Sequence, residues 1–211
     1  MKDDPDEFAG RWTDLINARG IAGLGARETA SEKSIVEKSV INEFKQTIFA
    51  LNGILVDGVT PERPPLPDFT VRIADQKIRV ELVEFIDGAL VKNAKFIRSD
   101  STHPLNKAAL TFAVNKSWFS DLLLQTILKK EQRYANRDIS IDALLIWNEA
   151  LELEVTQIQE WLSTFEVPHL SAIRSIYFQS WYHPAYEARP TWSLVSHPKL
   201  GDVSPVGKKR G

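Results

Sequence analysis

Two short alternating stretches after a Pro-Asp pair constrain the fold of this chain more than any other feature. They lie within "PDFTVRIADQKIRVELVEF", residues 67–85. Apolar and polar side chains alternate in each stretch, as they do in a strand with one buried face, and the polar pair Asp75-Gln76 separates the two. The pattern predicts a β-hairpin, so the fold must contain two adjacent antiparallel strands.

The hairpin places two acids on the same side of the sheet. A turn centred on the polar pair puts Asp68 opposite Val83, with Glu81 as its diagonal neighbour on one face, roughly 7–8 Å away between backbones. Two carboxylates at that distance can converge on one hard cation. A three-residue loop would instead put the acids on opposite faces.

A plain surface hairpin is the alternative interpretation. Lys77, Arg79 and Glu81 would then form the solvated face of an antiparallel pair. The same face becomes apolar at Val83 and Phe85, however, so Glu81 lies where a strand passes from solvent into the core. An acid there is costly without a compensating cation, and this favours a metal site.

Helical and strand patterns alternate on either side of the hairpin, and this order predicts an α/β protein with a mixed central sheet flanked by helices. The predicted elements outside the hairpin are helices over residues 31–52, 117–134 and 155–165 and strands over residues 54–58, 141–147 and 172–181.

The composition is that of a single soluble domain. The chain has 211 residues, 43% of them hydrophobic and none of them cysteine, which excludes disulfides and thiolate chemistry. We predict an N-terminal arm over 1–30, a domain over 31–195 and a flexible basic tail over 196–211. No signal peptide and no membrane helix of roughly 20 apolar residues is expected, so the protein is predicted to be cytoplasmic, without a membrane partner.

The order of these features resembles the PD-(D/E)XK nuclease superfamily from about residue 31 to residue 181. The hairpin stretch is similar to the branch whose strand reads Glu-Val-Thr-Glu. The resemblance implies a restriction-endonuclease-like core, in which Asp68 matches the motif Asp, Glu81 the (D/E) and Glu43 an acid of the first helix. The motif lysine belongs at position 83, where this chain has Val83.

A second match lies on the helix that follows the hairpin. Lys130 and Tyr134 are four residues apart and share a helical face. The pair is similar to the Gln-x-x-x-Tyr signature of one exonuclease branch, and in some members a lysine on a neighbouring element replaces the strand lysine. The resemblance makes Lys130 that candidate, with Tyr134 as a supporting residue. Glu84 is a weaker supporting candidate because it follows on the opposite face of the strand.

The resemblance implies a metal-dependent nuclease that acts on DNA, with RNA as an alternative substrate. Asp68, Glu81 and Glu43 would hold Mg²⁺ or Mn²⁺, which lowers the pKa of a bound water. Lys130 would stabilise the developing charge. The variant Lys130→Met is expected to lower turnover and to leave stability nearly unchanged.

Two other functions fit the same sequence. The first is a catalytically inactive domain of the same fold that binds nucleic acid or protein, since Val83 stands in the lysine position. The second is a helix-rich partner-binding protein whose hairpin lies on the surface, with Lys129 and Lys130 as a solvated pair. The sequence leaves the oligomeric state open, a homodimer included.

Overall fold

A computed structural model describes residues 30–86, 115–148, 153–181 and 189–203. The predicted arm before residue 30 and the end of the predicted tail lie outside the described residues. The helices and strands, in chain order, are α1 (Ala30–Asn52), β1 (Gly58–Pro61), β2 (Phe69–Ile73), β3 (Gln76–Glu84), α2 (Lys116–Ala135), β4 (Ala143–Trp147), α3 (Val155–Ser163), β5 (Ile176–Gln179) and β6 (Thr191–Val195).

The strands form one mixed six-stranded sheet in the order β1-β2-β3-β4-β5-β6. The pairs β1-β2, β2-β3 and β5-β6 are antiparallel, whereas β3-β4 and β4-β5 are parallel. Parallel neighbours need a crossover connection, and α2 and α3 lie within the two connections. The prediction of an α/β protein with a mixed sheet flanked by helices is confirmed.

Helices cover both faces of the sheet. The apolar stripe of α1 packs on one face, and the stripes of α2 and α3 pack on the other. None of the described helices is long and apolar enough to cross a membrane. The stripe residues are Val40, Ile41, Phe44 and Ile48 of α1, Phe119, Leu123 and Ile127 of α2, and Ile158 of α3.

The alternation along β3 decides which helix each side chain meets. Val80 and Leu82 belong to the cluster beneath α1, whereas Val83 packs against the cluster beneath α2. Because side chains of a strand alternate between faces, Glu81 shares the α2 face with Val83, and Glu84 shares the α1 face with Leu82. The buried acid therefore lies beneath the helix that carries Lys130.

Two predicted strands differ from the observed ones. The first strand is Gly58–Pro61 and not 54–58, since the apolar residues before it connect α1 to the sheet edge. The strand predicted over 172–181 is confined to Ile176–Gln179, and a sixth strand, Thr191–Val195, was not predicted. Its sequence follows an aromatic, proline-containing stretch that resembles a packed loop, so no alternation of useful length identified it.

The hairpin turn lies one residue before the predicted position. Ile73 pairs with Gln76, so Ala74 and Asp75 form the loop, and Ala74 has a φ of 49°. A two-residue hairpin loop needs a positive φ at its first position. Alanine adopts such a φ only at a cost, which is why the polar pair after it was the stronger turn candidate.

The shifted turn changes the register between the two acids. Phe69 pairs with Val80, and the same register continued by one residue puts Asp68 opposite Glu81 instead of opposite Val83. The shift changes the partner by two positions, so both acids stay on one face of the hairpin. They are direct neighbours where the sequence predicted diagonal ones.

Candidate functional site

Two carboxylates meet where the chain enters β2 beside β3. The backbone N–H of Asp68 donates a hydrogen bond to Glu81 Oε2 at 3.2 Å. The backbone N–H of Leu82 donates to Asp68 Oδ2 at 3.0 Å. Each acid is held by the strand that carries the other, so the hairpin brings Asp68 and Glu81 together.

Three side chains of α2 surround the carboxylate of Glu81, whose side chain is 2% exposed. Lys130 Nζ forms an ion pair with Oε1, and the Tyr134 hydroxyl donates to Oε2 at 2.5 Å. Arg133 Nη1 lies 3.7 Å from Oε1. A buried carboxylate without partners would cost several kcal/mol. The contacts from α2 therefore make the burial of Glu81 tolerable.

The ammonium of Lys130 also faces the main chain of β3. Lys130 Nζ lies 3.5 Å from the carbonyl oxygen of Leu82, and the lysine side chain is 15% exposed. Position 83 carries Val83, which packs against the apolar cluster on this face. A lysine of the helix thus lies beside Glu81 although β3 has no lysine at position 83.

Tyr134 remains a hydrogen-bond donor to Glu81 over the ordinary pH range. Its side chain is fully buried. Burial, the hydrogen bond to Glu81 and the negative charge of Glu81 all raise the pKa of the Tyr134 phenol above its usual value. The phenol therefore keeps its proton, and one oxygen of Glu81 stays oriented by it.

Asp68 has a less favourable environment for its charge. Burial, followed by the nearby Glu81 carboxylate, raises the pKa of Asp68 to about 6. The Leu82 N–H and the Lys130 ammonium act in the opposite direction, and Glu37 of α1 adds to the increase. A carboxyl group whose ionised form is disfavoured in this way gains most from an added cation.

Glu37 of α1 is an acid whose charge reaches Asp68 and that the sequence pattern did not single out. It precedes Glu43 on the same helix, and the sequence pattern alone does not show which acid of α1 faces the hairpin. In the folded chain the charge of Glu37 makes the smallest of the contributions that raise the pKa of Asp68. The helical periodicity shows which residues of α1 share a face, but it does not give the angle at which α1 crosses the sheet. The acid that comes near Asp68 could therefore not be predicted from it.

The remaining predicted acids have other surroundings. Glu43 forms an ion pair with Arg189, just before β6, and accepts a hydrogen bond from Ser39 Oγ at 3.4 Å. Glu84 lies on the α1 face of β3. Within the described ranges, no three acids or histidines come close enough together to hold a metal ion. The structure therefore does not bring Glu43 into a three-ligand group with Asp68 and Glu81.

The residues present still fit a divalent cation bound through two carboxylates. Mg²⁺ is usually held by one or two carboxylates, with waters and substrate phosphates as its other ligands. Burial and the neighbouring Glu81 carboxylate raise the pKa of Asp68, so a cation bound here would favour its ionised form. Asp68 and Glu81 are the side chains that would hold Mg²⁺ or Mn²⁺ here.

A carboxylate clamp fixes α2 next to this site. Glu131 Oε1 accepts from the N–H and the hydroxyl of Ser171 at 2.7 and 2.6 Å and from the N–H of Ala172 at 3.0 Å, while Oε2 accepts from the N–H of Ile173 at 3.1 Å. Burial alone raises the pKa of Glu131, but these hydrogen bonds outweigh it and lower the pKa. Because Glu131 directly follows Lys130, the clamp fixes the turn of α2 that reaches Glu81. No sequence pattern marks this residue.

Comparison of the chain with protein-family models, with curated proteins and with solved structures gives no match. The resemblance to the PD-(D/E)XK superfamily therefore stays a prediction from the motif residues.

Proposed function

We propose that this protein is a metal-dependent nuclease that hydrolyses phosphodiester bonds in DNA. The observation that carries the proposal is the convergence of Asp68, Glu81 and Lys130 from three separate elements. A structural ion pair needs one acid and one base. A second carboxyl group beside it, with its pKa raised to about 6, is not needed for that ion pair and is typical of a site shaped for chemistry.

The chemistry follows from the groups of this site. Asp68 and Glu81 are the residues that would hold a divalent cation here. Such a cation would lower the pKa of a bound water and offset the negative charge of the phosphate. The Lys130 ammonium stabilises negative charge that develops on the phosphate, and the Tyr134 hydroxyl keeps Glu81 in one orientation.

The order of the elements supports the same proposal. A restriction-endonuclease-like core is expected to present a long helix, a Pro-Asp, an acidic hairpin and then a helix with the lysine-tyrosine pair. Here α1, the β2-β3 hairpin and α2 follow in that order. Lys130 and Tyr134 both contact Glu81, which is what a lysine displaced from position 83 would have to do.

A catalytically inactive domain of the same fold is the second candidate. Two observations favour it. Both oxygens of Glu81 already contact side chains of α2, and Val83 fills the strand position of the motif lysine. In that case the ion pair is structural, and the domain binds nucleic acid or protein without cleaving it. Equal binding of Mg²⁺ to the parent and to Asp68→Asn in a metal titration would favour this candidate.

The direct test is cleavage of DNA by the full chain with Mg²⁺, Mn²⁺ or a chelator. Supercoiled plasmid and labelled single-stranded and duplex oligonucleotides, with RNA of the same sequence, identify the substrate. Asp68→Asn and Glu81→Gln are expected to abolish cleavage, since each removes a negative ligand. The matched control is Asp75→Asn, an exposed acid in the hairpin turn, which should cleave like the parent.

Cleavage that persists in both site variants, or that a chelator does not suppress, would refute the proposal. Circular dichroism of each variant checks that the fold is retained. Activity lost in the Asp75 control as well would point to damage of the hairpin and not to loss of a ligand.

A further inference from the structure

Arg133 is a charged side chain of this site that the proposed chemistry does not use. It lies on α2 between Lys130 and Tyr134, one helical turn from the lysine. Its side chain is 41% exposed, whereas that of Glu81 is 2% exposed. Arg133 therefore extends from the buried Glu81 carboxylate toward solvent.

The contacts of Arg133 orient its guanidinium without using its donors. Nη1 lies 3.7 Å from Glu81 Oε1, a distance that allows charge attraction but exceeds a hydrogen bond. The guanidinium carbon lies 5.5 Å from the centroid of the Tyr134 ring, within the range of a cation–π contact. Among the described residues, the guanidinium forms no hydrogen bond. Its N–H groups are thus available to a ligand beside the acids.

A purely structural role for Arg133 explains these contacts less well than a role in binding a ligand does. The buried carboxylate of Glu81 already has Lys130 at one oxygen and Tyr134 at the other. A third, half-exposed cation at 3.7 Å adds less to this compensation, because solvent around the exposed guanidinium screens the attraction. The contact with the buried Tyr134 ring, by contrast, already restricts the conformations of the guanidinium. Less conformational entropy is then lost when a ligand binds.

We propose that Arg133 binds a backbone phosphate of a nucleic-acid strand and positions that strand over Asp68 and Glu81. The planar guanidinium matches two oxygens of one phosphate, which a lysine cannot do. Contacts to phosphates set the position of a strand without reading its sequence. The assignment rests on the proposed function and names the group that brings the substrate to the site.

The test measures binding separately from cleavage. In an Asp68→Asn background, the affinity for a labelled duplex and for its single strand is followed by fluorescence anisotropy as the salt concentration rises. Arg133→Gln should weaken binding about tenfold and lower the slope of log affinity against log salt by about 1, the value for one lost phosphate contact. Arg133→Lys should keep the slope and recover only part of the affinity.

Arg72→Gln is the matched control. Arg72 is an exposed arginine near the turn end of β2, roughly 13 Å along the strand from Asp68. Its loss changes the net charge equally and should leave affinity and slope close to those of the background. Equal losses in both variants would show that only total charge matters and would overturn the assignment. An Arg133→Gln variant with unchanged affinity and slope, or a background that binds neither strand form, would overturn it as well.

Cleavage by otherwise wild-type chains separates this assignment from the nuclease proposal. Metal-dependent cleavage in which Arg133→Gln leaves KM unchanged would refute the assignment and support the nuclease. Selective loss of DNA affinity in Arg133→Gln, from a parent that cleaves nothing with any divalent metal, would support the assignment and refute the nuclease.

Discussion

At the scale of single residues, the site contains two acids with unequal compensation. Glu81 is buried and contacts Lys130 and Tyr134, so its charge is well compensated. Asp68 accepts one backbone N–H hydrogen bond, and burial, followed by the charge of Glu81, raises its pKa. The fold therefore compensates the charge of Glu81 well and the charge of Asp68 less well.

This difference between the two acids should make the free energy of unfolding depend on pH. The pKa of Asp68 rises from its ordinary 3.8 to about 6 in the folded chain, so folding favours the protonated form. The stabilisation is complete below about pH 4 and is lost as the pH rises through about 6. Asp68→Asn should therefore increase the free energy of unfolding near pH 7.5 by on the order of 2 kcal/mol and make little difference near pH 4. Urea unfolding of both chains at the two pH values measures this difference.

Identical pH dependence in the parent and in Asp68→Asn would show that the charge of Asp68 costs nothing in the fold. Asp75→Asn is the control, since Asp75 is exposed in the hairpin turn and should leave the dependence of the parent unchanged.

Lys130 is predicted to contribute both to stability and to cleavage. The sequence predicted that Lys130→Met would leave stability nearly unchanged, but Lys130 is the ion-pair partner of a buried carboxylate. Its removal should lower the free energy of unfolding by about 3 kcal/mol as well as stop cleavage. Lys130→Arg keeps the charge and should recover most of the stability. Lys129→Met, an exposed neighbour, should match the parent in urea unfolding and in cleavage rate. Equal behaviour of the Lys129 and Lys130 variants would refute a special role for Lys130.

At the scale of elements, α2 carries the side chains that contact Glu81, and Glu131 fixes this helix to the segment before β5. Lys130, Arg133 and Tyr134 reach Glu81 only if this helix keeps its rotation and its height above β3. The hydrogen bonds of Glu131 to residues 171–173 hold the same turn in place. The position of Lys130 thus depends on a connection outside the hairpin.

Glu131→Ala should lower the free energy of unfolding by about 1–3 kcal/mol, because it leaves the amides of residues 171–173 without their charged acceptor. Hydrogen exchange of those amides should accelerate in the variant. Gln132→Ala is the control, since Gln132 is exposed on the same helix. Unchanged exchange at residues 171–173 would show that the clamp does not hold the segment in solution.

At the scale of the whole molecule, the acids of the site come together only in the folded chain. The unfolded chain presents no preformed pair, so a cation that binds Asp68 and Glu81 stabilises the fold. At a Mg²⁺ concentration about ten times Kd the gain is about 1.4 kcal/mol. For a chain of this size that gain raises Tm by roughly 3–6 °C.

The shift should occur in the parent and in Asp75→Asn, and it should be lost in Asp68→Asn. Thermal unfolding followed by circular dichroism, with Mg²⁺ and after its removal by a chelator, measures it. An equal shift in the parent and in Asp68→Asn would place the cation elsewhere on the molecule.

The sequence by itself predicted the hairpin and the main helices and, for a two-residue loop, the shared face of the two acids. Alternation over residues 67–85 predicted the hairpin, and helical spacing predicted α1 and α2 to within a few residues. These patterns are local, because each side chain's face follows from its position along one strand or helix. Even a turn misplaced by one residue kept Asp68 and Glu81 on one face, since the change in partner was an even number of residues.

Only the tertiary structure decided which charges meet. The sequence pattern did not distinguish Glu37 from Glu43 on α1, and it did not show that Arg133 and Glu131 belong to the site. These contacts depend on the rotation of α1 and α2 about their axes and on their heights above the sheet. Burial of entire helix faces sets those quantities, through residues far apart in the chain. The raised pKa of Asp68 has the same origin, because desolvation and neighbouring charge exist only once the layers have packed.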